Sequence, residues 1–169
     1  NRFQYERFLL TQLLVMSLKG VPAFYLPALL ASENDIKSFS MTGQRRDLNR
    51  EKFKSEKLEA VFKNPESNAN KNLRYLRHAM DVRSQLPQFH PQSQMECLSK
   101  NRADIVVIKR GIGSKAVFTI HNITDNKINY RFSNYEFSKL IKNDLNMQDF
   151  LTSKKYNSNN IELDPFQVI

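Results

Sequence analysis

The sequence predicts an α/β fold that leads into a small antiparallel β unit. An amphipathic pattern over residues 3–18 is followed by Gly20 and by the apolar run VPAFYLPALL, residues 21–30. This order is typical of a helix leading into a buried strand. From residue 101 the composition changes to β-rich runs separated by glycines, which favours an antiparallel arrangement. We therefore expect two domains, residues 1–100 and residues 101–169.

The first region contains two predicted helices. Phe8, Leu9, Leu13 and Met16 recur at helical spacing, so residues 3–18 are expected to form a helix, and the apolar run after it a buried strand of about five residues. Residues 31 to about 62 show little periodicity and are expected to form a long loop. A second helix is predicted from residue 67 or 68, with Leu73, Leu76, Met80 and Arg83 on one face, until Pro87 ends it.

The second region contains a predicted hairpin and two further strands. DIVVIKR (residues 104–110) and KAVFTIHNIT (115–124) are joined through Gly111 and Gly113, which is hairpin turn chemistry. KINYRF (127–132) is a third strand, and IELDPFQVI (161–169) holds a last one after the polar loop SKKYNSNN (153–160). An irregular or helical insertion is expected around NYEFSKLIKNDL (134–145). Residues 122–124 match a glycosylation acceptor by pattern only.

Charge and cysteine content exclude several classes of function. The formal net charge is +9, but the cations are scattered and interspersed with carboxylates, so a solvated basic surface is expected rather than a nucleic-acid site. The single Cys97 excludes an internal disulfide and, with three scattered histidines, gives no metal-ligand or Cys/His nucleophile spacing. No cofactor and no metal are predicted. One reduced thiol fits a cytoplasmic protein.

No membrane partner is expected either. The apolar span of residues 8–31 is interrupted by Gln12, Lys19, Gly20, Pro22 and Pro27, and no signal peptide is visible. The chain begins with Asn1 inside an amphipathic pattern, which is typical of a fragment. The sequence leaves the oligomeric state open.

Four blocks carry a resemblance to a known family: GVPAFYLPALL, SEND, TGQRRDLNRE and RSQLPQFHPQ. In this order they resemble the sucrose phosphorylase group of the α-amylase superfamily, glycoside hydrolase family 13 subfamily 18. The resemblance is clear over residues 3–110 and weak beyond. It implies a fold in which this chain supplies the C-terminal portion of a (β/α)8 TIM barrel, followed by a small antiparallel β domain. Glu33 and the Lys/Asn-rich tail depart from the group's pattern.

The same resemblance implies an activity and a set of binding residues. The group converts an α-glucoside, such as sucrose or a glucosylglycerate-like compound, and inorganic phosphate to α-glucose 1-phosphate. The catalytic carboxylates would precede Asn1, so no catalytic residue is assigned and the chain alone is expected to be inactive. Arg46 resembles the position that contacts the bound glucosyl unit. Other expected contributors to substrate binding are Asn34, Asp35, Asp47, Asn49 and Arg50.

Several alternatives stay open at this stage. The full protein could be an α-glucoside hydrolase or transglucosidase, because water and phosphate compete for the same glucosyl-enzyme. The chain could instead be an inactive truncated remnant, or a free-standing basic module that binds nucleic acid. An Arg-, Asp- and Asn-rich loop is also often a solvated turn held by its own hydrogen bonds.

Overall fold

The computed structural model describes residues 2–132 and 146–169, so the insertion predicted around residues 134–145 lies outside the described residues. The chain divides into two compact units. One comprises Asn1–Pro22 and Ala79–Ile169, and the other comprises Ala23–His78. The boundary predicted at residue 100 from composition stays a prediction.

Both predicted amphipathic helices form. Helix α1 spans Gln4–Ser17 and buries Leu10, Leu13, Met16 and Ser17. Its stripe thus falls at the three- and four-residue spacing of one helical face. Helix α5 spans Asn68–Gln85 and ends just before the 3-10 turn Pro87–Phe89, as the proline predicted. Leu76 on α5 is completely buried, which contributes about 1.5–3 kcal/mol of hydrophobic stabilisation.

The strand predicted in VPAFYLPALL is wrong. Residues 21–25 pair with no strand among the described residues, and helix α2 covers Leu26–Leu29. Val21 and Tyr25 are 80% and 55% exposed, so this run is not a buried core element. Two physical causes favour the helical turn. A strand needs a hydrogen-bonded neighbour, and Pro27 lies in the first turn of α2, where its missing N–H costs nothing.

The long loop predicted after residue 31 contains three helical segments. Helix α3 spans Ile36–Thr42, a 3-10 helix spans Arg45–Asn49, and helix α4 spans Ser55–Lys63. Together with α2 and most of α5 they make up the helical part of the unit Ala23–His78. Asn72 of α5 is fully buried there, and its side-chain amide donates to the carbonyls of Ala28 (3.0 Å) and Leu29 (2.8 Å). One buried amide thus fixes the end of α2.

The predicted hairpin is confirmed and forms the centre of a three-stranded sheet. Strand β2 (Ile105–Arg110) pairs antiparallel with β3 (Val117–Asn122), and β1 (Met95–Cys97) adds to the other edge of β2. Arg110 lies opposite Val117 and Ile105 opposite Asn122. Gly111 and Gly113 adopt the left-handed φ values of +80° and +64° that the turn requires.

Two smaller antiparallel pairs complete the described β structure. Strand β4 (Ile128–Tyr130) pairs with β7 (Ile161–Leu163), as the sequence predicted for strands in both runs. Strand β5 (Asn146–Gln148) pairs with β6 (Lys155–Asn157). The polar loop predicted over residues 153–160 therefore holds a strand, because Tyr156 is buried within it. The core is formed by Ile105, Val107, Ile120, Tyr130, Phe132, Tyr156, Ile161 and Leu163.

The described chain is a small mixed α/β protein whose strands all pair antiparallel. The expected C-terminal β domain is consistent with these sheets. Within residues 2–132 and 146–169 no parallel strand pair of a (β/α)8 barrel is present.

Candidate functional site

The predicted substrate-binding loop is built around the start of helix α3. Asp35 is the N-cap residue, and its carboxylate accepts from the Ser38 backbone N–H (2.9 Å) and from the Ser38 hydroxyl (2.6 Å). Its own backbone N–H donates to the Leu48 carbonyl at 2.7 Å. Asp35 therefore satisfies one free N–H group of the helix and ties its start to the 3-10 segment that carries Arg46.

The far end of α3 is joined to the same 3-10 segment. Gly43 ends the helix in the left-handed conformation, with φ of 66°, and its N–H donates to the Phe39 carbonyl. The Thr42 hydroxyl then donates to the Asp47 carboxylate at 2.6 Å. The chain from Asp35 to Asp47 is thus held at both ends of a single short helix, which restricts the geometry of the arginine-rich turn.

Arg46 presents its guanidinium to solvent beside an acidic neighbour. Its side chain is 65% exposed, and its Nε lies 4.0 Å from Oδ1 of Asp47, whose side chain is 26% exposed. An exposed pair at this distance contributes little stability. The planar guanidinium has five donors in a fixed arrangement, so it can bind adjacent sugar hydroxyls, a carboxylate or a phosphate.

The other predicted residues surround this turn at its surface. Asn34, Asn49 and Arg50 are exposed, whereas Asp35 and Asp47 are half-buried. The Asn34 carbonyl accepts from the Ile36 N–H at 3.0 Å, and the Arg50 N–H donates to the Asp47 carbonyl at 3.4 Å. The structure thus brings Asp35, Arg46 and Asp47 into one connected element. Their roles in binding stay predictions.

The half-buried Arg83 and the buried Arg110 form a cluster that the sequence did not single out as functional. Arg83 of α5 donates from Nε to the Met16 carbonyl, from Nη1 to the Phe89 carbonyl and from Nη2 to the Gly20 carbonyl, all within 3.0 Å. Arg110 is completely buried and donates to the carbonyls of Gln88 (3.2 Å) and His90 (3.0 Å). Both guanidinium carbons lie over the Phe89 ring, at 5.2 and 5.5 Å from its centroid.

Burial lowers the pKa of both arginines, and for Arg110 the neighbouring Arg83 charge adds to this effect. Both groups remain charged at neutral pH, because the pKa of a guanidinium lies far above 7. The signal available in the sequence was Arg83 itself, a cation at a position where the α5 pattern predicts an apolar side chain. Its partners lie up to 67 residues away, so the pattern could not identify them.

Strand β3 carries two further buried polar residues, His121 and Asn122. The Asn122 amide donates to the carbonyls of Asn126 (2.7 Å) and Asp164 (2.8 Å), and its oxygen accepts from the Thr124 N–H (2.9 Å). Residues 122–124 match a glycosylation acceptor by pattern, but the side-chain nitrogen of Asn122 is fully buried and hydrogen-bonded in the folded chain. Burial lowers the pKa of His121 to about 4, so the imidazole is neutral at pH 7.

Two other classes of site were sought among the described residues. No group of three or more His, Cys, Asp or Glu side chains in residues 2–132 and 146–169 is placed to hold a metal ion. None of the helices described is both long and apolar enough to cross a bilayer.

Comparison with known proteins shows which proteins the chain is similar to in sequence. The chain is 37% identical to a glucosylglycerate phosphorylase of Allomeiothermus silvanus over 119 residues, which is 70% of the chain and 21% of that protein. It is 22% identical to the glucosylglycerate phosphorylase of Escherichia coli over 96% of the chain and 27% of that protein. A third, from Spirochaeta thermophila, is 28% identical over 62% of the chain and 18% of its own length.

The chain is related to phosphorylases. It spans about a fifth to a quarter of the length of the curated relatives it matches. No family model matches the chain. The predicted relation to a glucoside phosphorylase is confirmed at this level, and the finer assignment to the sucrose phosphorylase group stays a prediction.

Proposed function

We propose that the chain is the C-terminal part of a retaining α-glucoside phosphorylase, which transfers a glucosyl unit from an α-glucoside to inorganic phosphate and forms α-glucose 1-phosphate. The observation that supports it most is the similarity of 70% of the chain to a protein named glucosylglycerate phosphorylase. A glucosylglycerate-like compound is the preferred donor under this proposal, with sucrose as the second candidate from the sequence resemblance.

In this proposal the Arg46 turn holds the substrate. A retaining transfer needs two carboxyl groups about 5 Å apart and further groups that orient the glucosyl unit. Under this proposal the two catalytic carboxyl groups belong to another part of the full protein. Arg46 would orient the sugar hydroxyls or the phosphate. Asp35 and Asp47 would hold the turn through their bonds to α3, and Asn34, Asn49 and Arg50 would line its rim.

The proposal places residues 1–100 at the end of a (β/α)8 barrel, with the Arg46 turn near the active site. This part rests on the sequence blocks, and a structure of the longer gene product would test it.

The decisive experiment uses the gene product extended upstream of Asn1. It is incubated with inorganic phosphate and, in separate reactions, with glucosylglycerate, sucrose and glucosylglycerol, and glucose 1-phosphate is assayed. Release of glucose 1-phosphate with one donor supports a phosphorylase and identifies that donor. Release of free glucose instead would favour the hydrolase alternative, and no product would favour an inactive remnant.

Replacement of Arg46 tests the role of the turn. We expect Arg46→Ala to lower the rate of glucosyl transfer at least 100-fold while the protein stays folded, because a charge-assisted contact with the reacting sugar is lost. Arg45→Ala is the matched control, since it removes the adjacent exposed guanidinium from the same 3-10 helix. Equal activity of the two variants would contradict the role assigned to Arg46.

A further inference from the structure

One face of helix α3 carries small hydroxyl side chains. Ser38 and Thr42 follow the N-cap residue Asp35 by three and seven residues, so they lie on the same side of the helix. Ser38 is bonded to the Asp35 carboxylate at the start of α3, and Thr42 is bonded to the Asp47 carboxylate at its end. This face therefore contacts the 3-10 helix Arg45–Asn49 through Thr42.

The Thr42 hydroxyl has more acceptors nearby than it has protons. Its oxygen lies 2.6 Å from Oδ2 of Asp47 and 3.0 Å from the Ser38 carbonyl, and it accepts from the Gln44 N–H at 3.2 Å. A hydroxyl donates one proton, and the shorter contact with the carboxylate is the stronger of the two. The Asp47 side chain is only 26% exposed, so this bond is partly shielded from competing water. The hydroxyl thus joins the end of α3 to both Gln44 and Asp47.

The bond to Thr42 decides which oxygen of Asp47 faces Arg46. Oδ2 is taken by the hydroxyl, and Oδ1 is the oxygen that lies 4.0 Å from Nε of Arg46. The next residue, Leu48, accepts through its carbonyl from the Asp35 N–H at 2.7 Å. The two residues that follow Arg46 are therefore bonded to opposite ends of α3, which fixes the backbone from which Arg46 extends.

The guanidinium of Arg46 is itself left open to a ligand. It makes no hydrogen bond within residues 2–132 and 146–169, and its 4.0 Å contact with Asp47 is too long to occupy one of its N–H groups. Its donors thus remain available on a backbone that is already held in place. A binding group arranged in this way loses less conformational freedom when a substrate arrives.

We propose that Thr42 is a positioning residue for the glucosyl transfer described above: its hydroxyl holds Asp47 and thereby places Arg46 for contact with the glucosyl unit or the phosphate. This role rests on the proposed function, because Thr42 touches no substrate itself. Without the hydroxyl, Asp47 is released from α3 and the turn adopts further conformations in which Arg46 is misplaced. Thr42 is exposed, so its replacement should leave the protein folded.

The first test uses the gene product extended upstream of Asn1, with inorganic phosphate and glucosylglycerate, or sucrose where that is the active donor. Thr42→Val keeps the branched shape of the side chain and removes the hydroxyl. We expect kcat to fall about tenfold and KM to change by less than about twofold, because a hydrogen bond to a charged group is lost and the misplacement acts on the transfer step. Thr42→Ser keeps the hydroxyl and should retain most of the rate. Ser40→Ala is the matched control on α3, since the Ser40 hydroxyl donates to the Ile36 carbonyl at 2.9 Å, and it should leave the rate unchanged.

A double variant separates positioning from a purely structural effect. If Thr42 acts through Arg46, Thr42→Val has nothing left to misplace in Arg46→Ala, and the double variant should match Arg46→Ala within about twofold. A further tenfold loss, roughly the effect of an independent site, would overturn the proposal. An active parent whose Thr42→Val variant keeps its kcat, or a Thr42→Ser variant as slow as Thr42→Val, would overturn it as well.

Hydrogen exchange of the 169-residue chain gives a readout that needs no activity. The Asp35 N–H is bonded to the Leu48 carbonyl, so its exchange rate reports whether the turn stays closed on α3. We expect this amide to exchange about tenfold faster in Thr42→Val than in the native chain or in Thr42→Ser, and unchanged exchange would contradict the proposal even if catalysis fell. A parent that forms no product with any donor would overturn the proposed function and this role together, whereas an active parent with normal Thr42→Val kinetics would remove the role of Thr42 alone.

Discussion

Individual buried polar side chains help to fix the fold of this chain. His121, Asn122, Arg110 and Asn72 are all completely buried, and most of their hydrogen bonds go to backbone carbonyls rather than to charged partners. The sequence could not predict these roles. Asn122 and His121 occupy positions in a β-rich run that an apolar or an exposed polar residue could equally fill, and the Asp164 partner of Asn122 lies 42 residues away.

His121 should make the stability of the chain depend on pH. Its pKa is about 4 in the folded state and about 6.5 when unfolded, so the unfolded chain binds the extra proton between these values. Its contribution to stability is therefore complete above pH 6.5 and is lost as the pH falls towards 4. The full loss amounts to about 3 kcal/mol. Urea unfolding at pH 7, 5.5 and 4 measures it.

The comparison variant for this prediction is His121→Gln, which cannot be protonated. It is expected to be less stable at pH 7, because its amide must fit a site shaped for imidazole, but its free energy of unfolding should fall less between pH 7 and pH 4. Parallel curves for the two proteins would show that His121 does not titrate as its burial requires.

At the scale of secondary-structure elements, local signals were predictive and non-local ones were not. The hairpin was predicted because the alternation of its strands and the glycines of its turn lie within about twenty residues of each other. Helix α5 was predicted because its apolar face is followed directly by Pro87, which ends the helix. The run VPAFYLPALL failed because an apolar stretch forms a strand only beside another strand. Helices α3 and α4 were missed because their apolar stripes are short, and part of their stability comes from caps such as Asp35.

Arg83 should be essential for holding the end of α1 against the turn before β1. Arg83→Lys keeps the charge but replaces three donating nitrogens of a planar guanidinium by a single ammonium nitrogen. One nitrogen cannot take the place of all three, so at least one of the Met16, Gly20 and Phe89 carbonyls loses its donor. We expect a loss of about 1–3 kcal/mol in the free energy of unfolding. Arg77→Lys, at an exposed position of the same helix, should change stability by less than about 0.5 kcal/mol.

The hairpin turn offers a matched pair of glycines. Both have positive φ, so alanine costs about 1–2 kcal/mol at either position. A Cβ at Gly111 would also come within 2.8 Å of Cγ of Gln88, whose amide is held by the Lys115 carbonyl at 2.7 Å, whereas a Cβ at Gly113 meets no atom within 4 Å. Gly111→Ala should therefore lower the thermal midpoint more than Gly113→Ala. Equal shifts would mean that Gln88 moves aside freely.

At the scale of the whole molecule, the sequence predicted the mixed α/β class and the C-terminal antiparallel sheets, but it could not predict the division into units. Residues 1–22 join residues 79–169, although they lie at the opposite end of the chain. Contacts such as the bond from Arg83 to Met16 belong to this long-range closure. Periodicity describes which face of an element is apolar, not which distant element covers it.

The net charge of +9 leads to the last prediction. Several cations of the described surface are paired with carboxylates: Lys127 lies 3.2 Å from Glu162 and 3.1 Å from Asp164, and Arg102 lies 2.5 Å from Asp104. The Arg102 hydrogen bond lowers the pKa of Asp104, so that carboxylate stays ionised at neutral pH. Such pairs leave fewer cations available to release counterions from a nucleic acid.

We therefore expect the chain not to bind random-sequence duplex DNA at about 0.15 M salt and protein concentrations of about 10 μM. Fluorescence anisotropy of a labelled duplex measures this binding. Weak binding that appears only below about 0.05 M salt fits a scattered basic surface. Tight binding whose salt dependence corresponds to six or more phosphate contacts would instead require a continuous basic face. That outcome would favour the nucleic-acid module over the phosphorylase assignment, and the charge pairs at Lys127 and Arg102 would then need to open on binding.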